Sequence, residues 1–157
     1  MATYTTWLAP GGTRKKTGQK FFLYNTIDFG IQALDAGNGD VAQVLHIRRG
    51  TYVFNVWINV LHKAPAYSTV DLGYGGHVDY WGDGLRLDTA GVLSQKYVIA
   101  ESASAQLIKD RSPFAGVPVY FADPDTIDIV ATVDVADVNI SAGKIEVIAE
   151  CWRKEIK

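Results

Sequence analysis

Alternation of apolar and polar positions sets the frame for this chain, and it is longest between Val44 and Leu61 (VLHIRRGTYVFNVWINVL). The run is broken once, at Arg48-Arg49-Gly50. Beyond that break Tyr52, Phe54, Val56, Ile58 and Val60 fall on one side of an extended strand, and Thr51, Asn55 and Asn59 fall on the other with Val53 and Trp57. Side chains alternate across a strand, so the pattern predicts a long β-strand with a dry core face and a mixed second face. The second face is too apolar to be purely solvated, so either a second layer or a partner subunit is expected to cover it.

The same two-residue period recurs along the chain. Lys20 to Phe29, rich in aromatic and β-branched residues, reads as the first strand, closed by Gly30. Asn38-Gly39 marks a turn before a strand from Asp40 to Ile47. Tyr67 to Tyr74 alternates again, with Val70 and Leu72 on one side. Gly73 to Gly91, where Gly and Asp separate short apolar pairs, reads as tight loops crossing between sheets. Lys96 to Ala100 is expected as a short strand, and Glu101 to Asp110 holds the one stretch with helix-forming composition. Val117 to Phe121 is a further short strand before the turn Asp123-Pro124-Asp125. Thr126 to Val135 places Ile127, Ile129, Ala131, Val133 and Val135 inward, and Lys144 to Trp152 places Ile145, Val147, Ala149 and Cys151 on one face. Gly50 and Gly143 each follow an isoleucine by three residues and open a strand, which predicts a positive φ at both.

About eight short strands with almost no helix predict an all-β, single-domain antiparallel β-sandwich, jelly-roll-like, with a closed barrel as the structural alternative. The sandwich is expected over residues 20–157. Residues 1–19 differ: Thr and Gly dominate, Pro10-Gly11-Gly12 breaks any element, and Arg14, Lys15 and Lys16 form the densest positive run. This stretch reads either as a loose tail, as chain termini commonly are, or, since Trp7 and Leu8 are costly to leave in water, as an extended N-terminal arm that orders on a partner.

Composition narrows the function classes. With 157 residues, 48% hydrophobic, the chain suits one domain with a real core, and a net charge of -2 gives no global pull toward nucleic acid or membrane. The single cysteine, Cys151, excludes an internal disulfide and a multi-cysteine zinc site, and its place on a strand makes it a packing residue. No basic segment followed by an apolar one marks a secretory signal, and no apolar run approaches membrane-spanning length, so folding in a cytosol-like compartment is expected.

Catalytic chemistry finds no foothold. His46, His62 and His77 form no metal-ligand spacing, and Asp79, Asp83 and Asp88 lack the calcium-loop pattern with its closing Glu. There is no G-x-S-x-G, and the glycines of GYGG at Gly73 lie between strands rather than before a helix. No catalytic residue, metal ligand or cofactor is nominated. Tyr74, Tyr80 and Trp81 are the one candidate ligand platform, since aromatic faces stack on sugars; core packing is the competing account.

The runs IRRGTYVFNVWINV, STVDLGYGGHVDYWGDGL and ADPDTIDIVATVDVADVNISAGKIEVIAE together resemble small β-sandwich proteins encoded in the structural-gene clusters of tailed bacteriophages. In those, a strand opened by an I-x-x-G turn precedes a TVDLG segment, a Gly/Asp-rich loop, a DTIDI strand and a closing AGKI-V strand. The similarity spans Ile47 to Glu150 and leaves the N-terminal arm unconstrained. It implies a structural virion protein without catalysis: a head decoration (cement) protein that binds the major capsid protein on the capsid surface as a homotrimer, after assembly in the host cytoplasm. Trp7, Leu8, Arg14, Lys15 and Lys16 would then grip neighbouring capsid subunits, and Trp57 would lie in the subunit interface. The alternative is a carbohydrate- or receptor-binding module of a tail or fibre, using Tyr74, Tyr80 and Trp81. A metal-dependent β-sandwich enzyme is the remote third reading.

Overall fold

The computed structural model describes residues 1–5, 20–93, 118–133 and 137–153, and among them every regular element is a strand. In chain order these are β1 (Thr3–Tyr4), β2 (Lys20–Asp28), β3 (Leu34–Asp35), β4 (Val41–Ile47), β5 (Thr51–His62), β6 (Thr69–Tyr74), β7 (His77–Arg86), β8 (Gly91–Leu93), β9 (Val119–Phe121), β10 (Asp125–Thr132), β11 (Asn139–Ile140) and β12 (Lys144–Arg153). One sheet runs β1-β4-β10-β6-β7. The second runs β2-β12-β5, with β8 and β9 pairing along the same edge of β5, and β3 and β11 form a small two-stranded ladder. All pairings are antiparallel except β1 with β4, which is parallel. The expected strand at Lys96–Ala100, the helix at Glu101–Asp110 and the arm residues Trp7, Leu8, Arg14, Lys15 and Lys16 lie outside the described residues.

The core forms where the inner faces of the two sheets meet. Ile127, Ile129 and Ala131 of β10, Val70 and Leu72 of β6, and Ile145, Val147, Ala149 and Cys151 of β12 are all buried in one apolar cluster, as their alternation predicts. Val133 departs from that pattern: β10 ends at Thr132, and the side chain beyond it is exposed. Gly50 and Gly143 both have positive φ, 79° and 103°. Gly143 is also held close to the backbone of Ala64, where a Cβ would meet Ala64 N and Cα at 2.8 Å. The amide of Phe29 donates to the carbonyl of Gly143, and the amide of Gly50 donates to that of Phe121, so both turns are tied to neighbouring strands.

Two of the sequence expectations need correction. In β5 the strict two-residue phase holds only for Val56, Ile58 and Val60; Thr51 and Val53 are buried, while Tyr52 and Phe54 are half-exposed. The cause is a β-bulge. Val53 pairs with Cys151 and Asn55 pairs with Glu150, so Phe54 has no counterpart on β12 and the pleat changes phase there. The second correction concerns Gly73–Gly91, which is not a set of crossing loops: His77–Arg86 is a ten-residue edge strand. Its glycines serve packing. Gly73 runs so close to His77 and Val78 that a Cβ would collide with their backbone, and Gly82 lies against the Leu85 side chain. Register shifts between β6 and β7 accommodate the extra residues.

A similar irregularity joins the two sheets. Leu45 pairs with Ile127 and Gln43 with Asp128, which leaves Val44 without a counterpart on β10. Its carbonyl accepts a hydrogen bond of 3.1 Å from the Asn25 side chain on β2, in the opposite sheet. A backbone group freed by a bulge is thereby satisfied.

Deleting Phe54 is expected to leave cooperative folding intact, because only the surplus residue is lost and Val53 and Asn55 keep Cys151 and Glu150 opposite them, whereas deleting Trp57, which pairs with Ile148, should abolish it by making Asn55 and Val56 exchange faces. Phe54→Ala keeps the backbone count and should cost only about 1–2 kcal/mol. Urea denaturation followed by circular dichroism separates the variants; loss of folding on deleting Phe54 equal to that on deleting Trp57 would refute the account of the bulge.

Candidate functional site

The two sheets turn unlike faces to solvent. On β2, β5, β9 and β12 the outward positions include Phe22, Tyr24, Tyr52, Phe54, Trp57, Tyr120 and Trp152. Tyr24 is 68% exposed, Phe22 51% and Tyr120 47%, while Tyr52, Trp57, Ile148 and Trp152 are half-buried. The strand register assembles them. Ile148 stands between Tyr24 and Trp57, and Tyr52 stands between Trp152 and Tyr120. The Tyr52 ring lies 4.6 Å from that of Tyr120 and 5.3 Å from that of Trp152, and Phe22 meets Trp57 edge-on at 6.2 Å. Between the two groups Lys20 bridges to Glu150 at 2.7 Å and sits 5.0 Å over the Phe54 ring. The bulge at Phe54 builds this face, since the phase change sends Tyr52 outward in line with Trp57.

Contiguous exposed aromatic surface of this kind is uncommon on monomers, and Tyr and Trp are the residues that dominate protein interfaces. The sequence pointed to Trp57 and to the apolar character of the second face of β5. It missed Phe22, Tyr24, Tyr52, Tyr120 and Trp152, because their joining depends on which strands pair.

The opposite sheet carries carboxylates. Asp71 on β6 and Asp128 on β10 point outward, since Val70, Leu72, Ile127 and Ile129 beside them face the core. Burial pushes Asp71 up to about 6; the hydrogen bond from the Gly84 amide works against this, and nearby Asp83 and Asp79 add to it. Burial likewise raises Asp128 to about 6, opposed by a hydrogen bond from the Thr126 hydroxyl and assisted by Asp125. Among the described residues no three His, Cys, Asp or Glu side chains are grouped to hold a metal ion.

Tyr74, Tyr80 and Trp81 are brought together, with ring centroids 5.1–5.4 Å apart, and Phe121 joins them 5.2 Å from Tyr74. Trp81 is only 5% exposed and Tyr80 is buried too, so their ring faces are occupied by one another. Cys151 is fully buried, and burial pushes its thiol up to about 12, where it is neither a nucleophile nor a metal ligand.

A third feature lies at the β1–β4 edge. Asp40, 3% exposed, accepts hydrogen bonds from the amide of Ala2 (2.9 Å), the amide of Asp35 (3.2 Å) and the hydroxyl of Tyr4 (3.3 Å). Burial alone would raise its pKa, but these donors outweigh burial and hold the carboxyl below its ordinary range.

The raised carboxyls predict a specific pH dependence. Folded Asp71 and Asp128 hold protons more tightly than they do in the unfolded chain. Their contribution to stability is therefore greatest below about pH 4 and is lost as the pH rises through about 6. Asp71→Asn should raise stability above pH 6, by about 1 kcal/mol after solvent screening, and leave it nearly unchanged near pH 4. Urea titrations across that range read the difference; a gain independent of pH would contradict it.

No family model and no curated protein matches the chain. Among solved structures, a chain of the capsid of Ralstonia phage GP4 shares the fold with a TM-score of 0.61 and 13% identity, over 95% of this chain and 93% of that one. A chain of the cyanophage Pam1 capsid asymmetric unit does so with a TM-score of 0.56 and 12% identity, over 92% of each chain. This protein has the β-sandwich fold found in those two phage capsid structures.

Proposed function

We propose that the protein is a structural component of a tailed-bacteriophage virion: a decoration protein that binds the major capsid protein on the surface of the assembled head. The observation that carries this reading is the end-to-end likeness to chains from two phage capsids. The matched chains are of about equal length to this one, which favours a small accessory component over a large shell subunit. The strand order supports a jelly-roll reading as well. Strands β4-β10-β6-β7 face β2-β12-β5-β8/β9, and the chain passes repeatedly between the two sheets, an arrangement used by viral capsid domains.

The aromatic outer face around Trp57 and Tyr24 is the docking surface on this reading. Desolvating several exposed aromatic rings supplies affinity, and the repeated sites of a lattice multiply it. A homotrimer burying Trp57 between subunits fits the same surface. Trp7, Leu8, Arg14, Lys15 and Lys16 are proposed as a gripping arm on neighbouring capsid subunits. The role assigns no catalysis and no cofactor.

Purified protein is expected to co-sediment with empty heads of its virus and to raise their disruption temperature. Tyr24→Ser combined with Phe22→Ser should weaken that binding at least about tenfold, since interface aromatics commonly contribute more than 1.4 kcal/mol. Protein that stays in the supernatant, at saturating concentration and with a native circular dichroism spectrum, would overturn the proposal.

A further inference from the structure

The seat of β1 holds Ala2 and Tyr4 through contacts that converge on Asp40 and Val41. Ala2 is held by both of its backbone polar groups: its amide donates to Asp40 Oδ1 at 2.9 Å, and its carbonyl accepts from the amide of Val41 at 2.7 Å. Two residues further on, the hydroxyl of Tyr4 reaches Asp40 Oδ2. The seat itself belongs to the body of the sandwich. Asp40 follows the β3 turn, its carbonyl accepts from the amide of Ala131 on β10, and its amide donates to the carbonyl of Asp35. If the strand leaves, the buried carboxylate keeps only the amide of Asp35 among these donors, which is a costly state for an ionised group.

The connection between strand and body is, by contrast, long in sequence. Fifteen residues separate Tyr4 from Lys20, the start of β2. Such a length can reach about 50 Å when extended, against about 10 Å between the layers of a sandwich. The strand is two residues long and pairs on one side only, so its ladder by itself adds little hold. A demanding seat joined by a long tether to a short strand is the arrangement in which exchange between copies conserves every contact.

We propose that the β1 seat at Asp40 and Val41 is an interaction site between copies of this chain, occupied in the assembled state by the Ala2–Tyr4 segment of a neighbouring protomer. The exchanged contacts are the ones already seen, now made between chains: Ala2 amide to Asp40, Val41 amide to Ala2 carbonyl, and Tyr4 hydroxyl to Asp40. Assembly favours the exchange because neighbours held side by side present their segments at high effective concentration. Asp40 is then a specificity residue for self-association. The inference needs only copies of this chain, so it can fail or succeed independently of the capsid reading.

The test uses the full-length chain. Thr3→Cys, at an exposed position on β1, is spin-labelled on unenriched protein; Cys151 is fully buried and does not compete for the label. This protein is unfolded together with an equal amount of unlabelled, nitrogen-15-enriched chain, and the mixture is refolded and concentrated. Selective loss of amide signal at Val41, Ala42 and Gln43 of the enriched chain is expected, together with its disappearance when the enriched chain carries Asp40→Ala. Loss at those amides only when label and enrichment are on the same chain would overturn the proposal. Loss spread over other surfaces, and indifferent to Asp40→Ala, would overturn it equally.

Discussion

The pairing of β12 with β5 is the constraint on which the rest of the structure depends. β12 lies between β2 and β5 and contributes Ile145, Val147, Ala149 and Cys151 to the core, all fully buried. Its partner β5 has two residues too many for an unbroken ladder, and the surplus is absorbed at Leu61, near one end, and at Phe54. A side-chain period of two leaves no intermediate choice, so a single inserted residue exchanges the inner and outer sets on one side of the bulge. Val53 and Thr51 enter the core, and Tyr52 turns out toward Trp152 and Tyr120. One backbone irregularity thus sets both the packing of one end of the sandwich and the aromatic character of its outer face.

The two outer faces place opposite demands on the fold. Aromatic rings left in water on the β2-β12-β5 sheet lower solubility and gain by association. Carboxylates crowded on the other sheet favour separation, since Asp71 and Asp128 are driven up to about 6 by partial burial and by acidic neighbours. The exposed aromatic surface is thus a sheet face rather than a cleft.

Asp40 shows how a single charge organises a chain end. Its carboxylate is nearly inaccessible, yet it stays ionised because three donors converge on it from Ala2, Tyr4 and Asp35. The energetic asymmetry of a buried carboxylate, costly when abandoned and stable when satisfied, gives a two-residue strand more hold on the sheet than its ladder could supply. Among the described residues the comparable case is Asp88, which accepts from the amide of Tyr67 and from the Arg86 guanidinium. Burial raises its carboxyl less than those contacts lower it.

The alternation of Ile127-Ile129-Ala131, Ile145-Val147-Ala149 and Val56-Ile58-Val60 determined by itself that this is an all-β domain and that these residues lie in its core, because burial on one face of a strand acts locally with a fixed period. The turn glycines Gly50 and Gly143 were legible for the same reason, since a positive φ is a property of a single residue. Only the tertiary structure decided the rest. The phase of Tyr52 and Phe54 depends on the residue count of β12, nearly a hundred positions away. The strand character of His77–Arg86 depends on its pairing with β6, which overrides a composition of Gly and Asp that reads as loop. The aromatic face joins rings from four separate strands, and Asp40 meets Ala2 across 38 positions. Local chemistry makes strands; long-range pairing decides what their outer faces present to solvent.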